Sequence, residues 1–588
     1  MKKLINKLED ELCAAFEKAG YDSRFGNVTI SNRPDLCQYQ CNGAMAAAKQ
    51  YKKAPIMIAN EVLEALGESE VFEQITAILP GFINIIVSGK ILADYVNDMR
   101  KDEKLGCEEA EEPETIVIDY GGPNVAKPLH VGHLRSAIIG ESIKRTARYL
   151  GHKVIGDVHL GDWGLQIGLI ITELRKRKPE LVYFDESYEG EYPKEAPFTM
   201  SDLEEIYPYA SAYSKEHPEY KEEAQNATAV LQAGNRGYLA LWQHIIQVSV
   251  ADVKRIYDSL QVSFDLWKKE SDAQPYIPDM VQYLKDEGYA HISEGALVVD
   301  VKEESDTKEI PPCMILKSNG ATLYNTTDLA TIVERRKLFQ PTKIIYVVDK
   351  RQSLYFEQVF RCAKKTKLIE DSTELVFVGF GTMNGKDGKP FKTRDGGVLR
   401  LEHLLEDVTG QVREKMTDRD MSEEMMADVA QKVGLAAIKY GDLSNQASKD
   451  YVFDIERFTS FEGNTGPYIL YTIVRTKSLL GKVEELNITY DENAPILPAE
   501  DKEEEELMLI LSRWNDMIDT AYAERAPHKI CQYIYELADA FNKFYHGHKI
   551  VTEENEQKRA SWIALSVFVG KVLETGVNLL GFESPDRM

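Results

Sequence analysis

Within residues 115–158 the chain runs through a strand, a turn, a helix and a second strand. TIVIDY is a buried-strand pattern, a glycine- and proline-rich turn follows, a proline-free stretch over residues 134–150 is ended by Gly151, and HKVIGDV is strand-like again. That order is the βαβ unit of a parallel sheet, whose ligands sit at the carboxyl ends of the strands near a switch in strand order. The segment joining the first strand to the helix, PNVAKPLHVGHLRS (residues 123–136), lies where such a ligand would be met. A helix start offers free N–H groups and positive potential, Gly132 permits close approach, and His130 and His133 would face the phosphates of a nucleotide. Imidazoles there can stabilise charge that builds up when a phosphorus atom is attacked.

The sheet resumes after a long interruption. Residues 173–300 are charged and mostly helical in pattern, and read as an insertion between two halves of the sheet. The second half comprises ATLYNTTDLATIVERRKLF as a strand end and helix, then KIIYVVD and ELVFVGFG as strands. A loop, GFGTMNGKDGKPFKTRDGGVLRL (residues 379–401), follows the last of these. Its glycines, with Lys386, Lys389, Lys392 and Arg394, suit a mobile clamp that closes positive charge over pyrophosphate, and a solvated hairpin is the plain alternative.

With 588 residues the chain exceeds one hydrophobic core and should divide into roughly three to five domains. The net charge of -26 runs against the basic balance of many nucleic-acid binders. Phosphate attraction depends on local patches, however, and basic residues cluster at Lys144, Arg145 and Arg148, at residues 335–337 and 361–367, and in the loop; a solvated face is the usual explanation of any one cluster. The seven cysteines are scattered and odd in number, which suits a reducing compartment, so a cytoplasmic location is expected. Cys37 and Cys41 could be half of a metal site, but no second pair or nearby histidine cluster completes one, so no structural zinc is expected. No apolar run approaches the roughly 20 residues of a membrane-spanning helix, so no membrane partner is expected.

HVGH between strand and helix resembles the histidine signature of class I aminoacyl-tRNA synthetases, and PNVAKPLHVGHLRS as a whole is similar to the arginyl branch of that family. FKTR followed by a glycine-rich turn resembles that branch's degenerate lysine signature. The resemblance implies that Lys127 supplies the compensating positive charge on the triphosphate, and leaves open whether Lys392 or Lys389 shares the task. Catalytic roles are thus expected for His130, His133, Lys127 and Lys392, and ATP contacts for Pro123, Asn124, His130, Gly132, His133, Lys389 and Arg394. The family's amino acid carries a guanidinium, which is planar, always charged and best held by a carboxylate with flanking acceptors or a ring. Tyr324 and Asp328 stand at i and i+4, so on a helix they share a face and can grip one cation, although such a spacing also describes an ordinary surface pair. Asp119, Asn124 and Gln352, at strand-to-loop positions, could hold the α-amino and carboxylate groups, and Asp119 could equally cap a turn. HLGDWGLQIG is another family-like string that places His159 and Gln166 beside the pocket, with a core histidine as the alternative.

Taken along the chain, the expected organisation is a multidomain α/β protein. It has a small α+β domain over residues 1–106, for which the resemblance implies a tRNA contact, a Rossmann-like catalytic domain over 113–400, a connecting helical region over 401–455 and an all-α helix bundle over 456–588. In the bundle Tyr468, Tyr471 and Arg475 lie at i, i+3 and i+7, and such aromatics and arginines can stack on splayed RNA bases, with core packing as the default. The family's substrates would be L-arginine, ATP with Mg2+ and tRNA(Arg), with tRNA bound before activation, the first domain touching the outer corner of the tRNA, and the enzyme a monomer. Two rivals remain at this point: a synthetase charging cysteine, which would hold zinc, and an inactive RNA-binding paralogue, which intact His130, His133 and Lys127 argue against.

Overall fold

Ile116, Val117 and Ile118 are buried together in Thr115–Tyr120 (β1), the near-continuous apolar run expected of a parallel strand covered on both faces. Lys153–Asp157 (β2) pairs with it on one side, Lys343–Asp349 (β3) on the other, and Glu374–Phe380 (β4) pairs with β3 beyond, every pair parallel. The order is therefore β4-β3-β1-β2. The chain moves outward in one direction from β1 to β2 and in the opposite direction from β3 to β4, so the reversal falls between β1 and β3. In this computed structural model the described residues are 1–389, 399–416, 421–489, 491 and 493–588.

Val131–Tyr149 (α1) crosses from β1 to β2, with Leu134, Ala137 and Ile138 buried. Tyr324–Phe339 (α2) and Ser353–Lys365 (α3) pack on the sheet, where Ile332 and Val359 share a core with Val117, Ile344 and Tyr346. Glu423–Leu443 (α4) also contacts α1. Between β2 and β3 lie helices Leu165–Arg177, Met200–Glu216, Pro218–Gln232, Arg236–Ser259 and Ile277–Asp286, then an antiparallel sheet of His291–Ser293, Ala296–Val299 and Cys313–Leu316. Strands this short give no readable period. The ATL expected to end a strand lies past the last of them, beyond a turn in which Lys317 N donates to Ala321 O with Gly320 at φ +77°.

The chain forms two compact units. The sheet and its helices belong to Glu111–Thr459 with Leu580–Phe582, and the other unit comprises Met1–Ala110, Ser460–Leu579 and Glu583–Met588. In the latter, helix Leu4–Lys18 accompanies a four-stranded antiparallel sheet in the order Val28–Ile30, Tyr39–Cys41, Phe82–Val87, Phe72–Ile78. Its other part is helical and includes Gly466–Glu485 (α5), Pro527–Gly547 (α6) and Glu556–Leu579 (α7), which pack on one another. α7 corrects one sequence expectation, for it is long and apolar enough to cross a membrane by length and composition. Trp562, Leu565, Phe568 and Val572 are buried in the unit, as a mostly apolar helix packed within a bundle requires.

Candidate active site

The strand-order reversal opens a cavity of about 520 Å³ at the carboxyl ends of β1 and β3, lined among others by Asp119, His130, Gly132, His133, His159 and Gln352. Six residues singled out in the sequence thus meet in one place. His130 caps α1: its Nδ1 accepts from Gly132 N at 3.0 Å, while His133 Nδ1 accepts from His130 N at 3.1 Å. A ring nitrogen that accepts a backbone N–H carries no hydrogen, so each neutral ring holds its proton on Nε2. Burial pushes the His133 imidazole down to about 3, helped by His130 and Lys127, and burial with Lys127 lowers His130. Both are therefore neutral hydrogen-bond donors at pH 7, their rings tilted 38° to one another with centroids 3.9 Å apart. Gly132 is required here, since a Cβ would lie 2.7 Å from His130 Cε1. Lys127 Nζ rests 4.7 Å from the centre of the Tyr207 ring.

The return leg of the glycine- and lysine-rich loop is fastened to the histidine segment. Val131 N donates to Leu399 O and Leu401 N to Leu129 O, which makes His130 and Arg400 antiparallel bridge partners. The outgoing leg is held by the same helix through the buried Arg135, whose guanidinium donates to Gly381 O at 2.8 Å and Lys449 O at 3.0 Å and pairs with Asp442 at 3.1 Å. Lys389 is exposed in the loop's first turn, where its carbonyl accepts from Gly385 N. Lys392 and Arg394 lie outside the described residues.

A second constellation sits on α2. Tyr324 opens the helix, 67% exposed, and Asp328 follows one turn on, half-buried, accepting a hydrogen bond from the Tyr355 hydroxyl of α3. Burial raises the Asp328 carboxyl, and its charged neighbours include His159 and Asp119 of the cavity wall. Glu270, which the sequence reading missed, belongs to the same group: burial pushes it up to about 7, and His159, Asp162 and Asp328 are the charges it meets. It lies in a 3-10 helix of the insertion, where no period announces it.

Asp119 accepts from Arg335 Nη2 at 2.7 Å, and Asp157 at the end of β2 accepts from the same nitrogen at 2.8 Å. His159 has a left-handed backbone, φ +38°, and neither ring nitrogen, both buried, has a hydrogen-bond partner. Burial works against its protonation, but Asp157 and Asp119 outweigh that and hold it up at about 9. Pro123 and Asn124 pair by backbone with Gly161, which fixes the turn below the histidines. Gln166 instead turns its amide back to Gly161 O at 3.3 Å. Two residues counted among the basic clusters, Lys144 and Arg335, are buried at 1% and 2% exposure, so burial in the fold, not a solvated face, explains them. Among the described residues no group of three or more His, Cys, Asp or Glu could hold a metal ion.

In the other unit Tyr468, Tyr471 and Arg475 share a face of α5. Arg475 lies over the Tyr471 ring at 4.9 Å and the Tyr545 ring at 5.0 Å, Tyr471 is 41% exposed, and Tyr468 Oη accepts from Asn542 at 3.0 Å.

Residues 96–455 match the family model described as tRNA synthetases class I (R), catalytic domain, residues 469–588 match the DALR anticodon binding domain, and residues 2–87 match the arginyl tRNA synthetase N terminal domain. The chain is 61% identical to an arginine–tRNA ligase of Agathobacter rectalis and 58% identical to one of Alkaliphilus oremlandii, in each case over the full length of both chains. The solved arginyl-tRNA synthetases of Plasmodium falciparum (TM-score 0.79, 24% identity, all of both chains) and Thermus thermophilus (TM-score 0.79, 21% identity, 99% of this chain and 100% of the other) have the same fold.

Proposed function

The chain belongs to the arginyl-tRNA synthetase family, and from that premise we propose how its residues divide the labour of attaching arginine to tRNA. The reaction is that of an arginine–tRNA ligase: ATP activates L-arginine as arginyl adenylate, and the arginyl group passes to the 3′-terminal adenosine of tRNA(Arg). In the proposed mechanism the arginine carboxylate attacks the α-phosphorus of ATP in line, and the bond to pyrophosphate breaks. The Nε2–H groups of His130 and His133 donate to oxygens on which charge develops, with no proton lost from either ring. Gly132, Pro123 and Asn124 shape the nucleotide side, Lys127 and Lys389 counter the triphosphate, and Lys392 and Arg394 extend that role along the loop. Magnesium would arrive with the nucleotide.

Asp328, Tyr324 and Glu270 take the guanidinium in this reading, Asp119 and Asn124 the α-ammonium, and Gln352 and His159 the carboxylate end. A ribose hydroxyl of the terminal adenosine, the 2′-hydroxyl by analogy with class I, then attacks the adenylate carbonyl and AMP departs. Tyr468, Tyr471 and Arg475 would stack on anticodon bases. The division at 1–106, 113–400, 401–455 and 456–588, a monomeric state and a cytoplasmic location belong to the same proposal. A site built to pair with the guanidinium fork rejects analogues that lack it, so no editing domain is needed.

The observation that carries the site reading is the meeting of the two neutral imidazoles and Asp119 on one cavity, with Asp328 among the charges facing that wall. Arginine-dependent AMP formation, with and without tRNA, tests it. His133→Ala should lower kcat by about 100-fold or more at every substrate concentration, and a kcat within about twofold of the parent would refute the role of the imidazoles.

A further inference from the structure

Two acidic pairs stand at or behind the cavity wall, of whose members only Asp119 lines it, and one pair already holds a guanidinium. Asp119 and Asp157 end adjacent parallel strands and both accept from the single nitrogen Nη2 of Arg335. The other pair is Asp328 with Glu270. Arg335 stands seven residues after Asp328 on α2, so the helix presents the acid of one pair and the occupant of the other from one face. Arg335 is 2% exposed, yet its Nε and Nη1 have no hydrogen-bond partner. A guanidinium kept only to close an ion pair would engage carboxylates with its two-pronged edge, whereas this one leaves most of its fork unused.

Arginine as a substrate has two cationic ends, and only one orientation brings its carboxylate to the imidazoles. Left vacant, the Asp119–Asp157 pair would be a two-carboxylate seat for the wrong end. We propose that Arg335 is a positioning residue that fills this seat with the chain's own guanidinium, leaving the cavity side of Asp119 to the compact α-ammonium and directing the substrate's guanidinium to Asp328. The inference rests on the reading of Asp328 given above.

Arg335→Ala vacates a space of guanidinium size, so methylguanidine is the probe. With tRNA and ATP present, kcat for arginyl-tRNA formation should fall about tenfold or more while the arginine dissociation constant is no weaker than the parent's. Millimolar methylguanidine should raise the variant's kcat and only inhibit the parent. An unchanged kcat, or joint loss of kcat and arginine affinity without response to methylguanidine, overturns the proposal. Should Arg335→Ala fail to fold, Arg335→Ala with Asp157→Asn removes the seat together with its occupant. That double variant should reach within about threefold of the kcat of Asp157→Asn alone and ignore methylguanidine, and a larger deficit overturns the proposal equally. Asp328→Asn separates the two levels: unchanged arginine affinity there refutes the underlying site reading, whereas weakened affinity with Arg335→Ala behaving as the parent refutes the orientation device alone.

Discussion

The Tyr355 hydroxyl on α3 donates a hydrogen bond to the Asp328 carboxylate on α2. This bond joins two helices that flank β3 and fixes the direction in which the half-buried acid faces. Without it the carboxylate loses its aim and also the contact that most opposes the upward push of burial on its pKa. Tyr355→Phe should raise the KM for arginine about tenfold, the equivalent of roughly 1.4 kcal/mol and in the range for hydrogen bonds to charged groups. Steady-state kinetics with arginine and ATP varied in turn should show the ATP KM unchanged.

The pH dependence follows from Glu270, pushed up to about 7 by burial, with Asp328 raised in the same direction. A guanidinium binds the ionised carboxyl, so arginine affinity should weaken as pH falls from about 8 to about 6, where Glu270 takes up its proton. The KM for arginine measured across that range should rise at the acid end, and Glu270→Gln should flatten the profile while raising KM throughout. For stability the sign is opposite. An acid whose folded pKa exceeds its unfolded one favours the fold when protonated, so Glu270's contribution is full below about 4.5 and is lost as pH rises toward 7 in the arginine-free enzyme. Arginine should restore it, which makes the thermal shift on adding arginine larger at pH 8 than at pH 6.

Both legs of the loop that bears Lys389 are tied to α1, one by backbone pairing at His130 and Arg400, the other by Arg135. Arg135 also neutralises the buried Asp442. Arg135→Met leaves that charge alone and should cost about 3–5 kcal/mol of stability by denaturant titration. Arg135→Lys keeps the charge but cannot reach two carbonyls and a carboxylate together, so it should raise the KM for ATP several-fold while sparing that for arginine.

How far the site could be read from sequence depended on the range of the contacts. β1, α1 and β2 were legible because an apolar run, a glycine–proline turn and a terminating Gly151 are local signals. Tyr324 and Asp328 were legible because helical spacing predicts a shared face. Arg335 obeys the same spacing from Asp328 but was seen only as one member of a basic run, since composition says nothing of burial. Glu270 has no period around it, and the pairing of residues 399–401 with 129–131 joins segments some 270 positions apart, a long-range contact that leaves no local trace. The short strands between His291 and Leu316 were missed for want of length.

In the proposed reading the Arg475 cation over two rings of α5 and α6 meets RNA bases. Arg475→Ala should raise the KM for tRNA about tenfold, in the range measured for loss of a stacked base contact. Arginine-dependent steps assayed at saturating tRNA should keep their KM for arginine and ATP, and the deficit should narrow with added salt, because the variant has lost a positive charge and its salt dependence is shallower.

In the proposed division of labour Asp328 selects the amino acid while the neutral imidazoles of α1 serve the nucleotide. The most direct measurement is the KM for arginine in Asp328→Asn, read from tRNA aminoacylation beside the KM for ATP in the same preparation. A rise of about 100-fold or more for arginine, with the value for ATP within about threefold of the parent, is the predicted result. An arginine KM equal to the parent's, or an equal rise for both substrates, would contradict it.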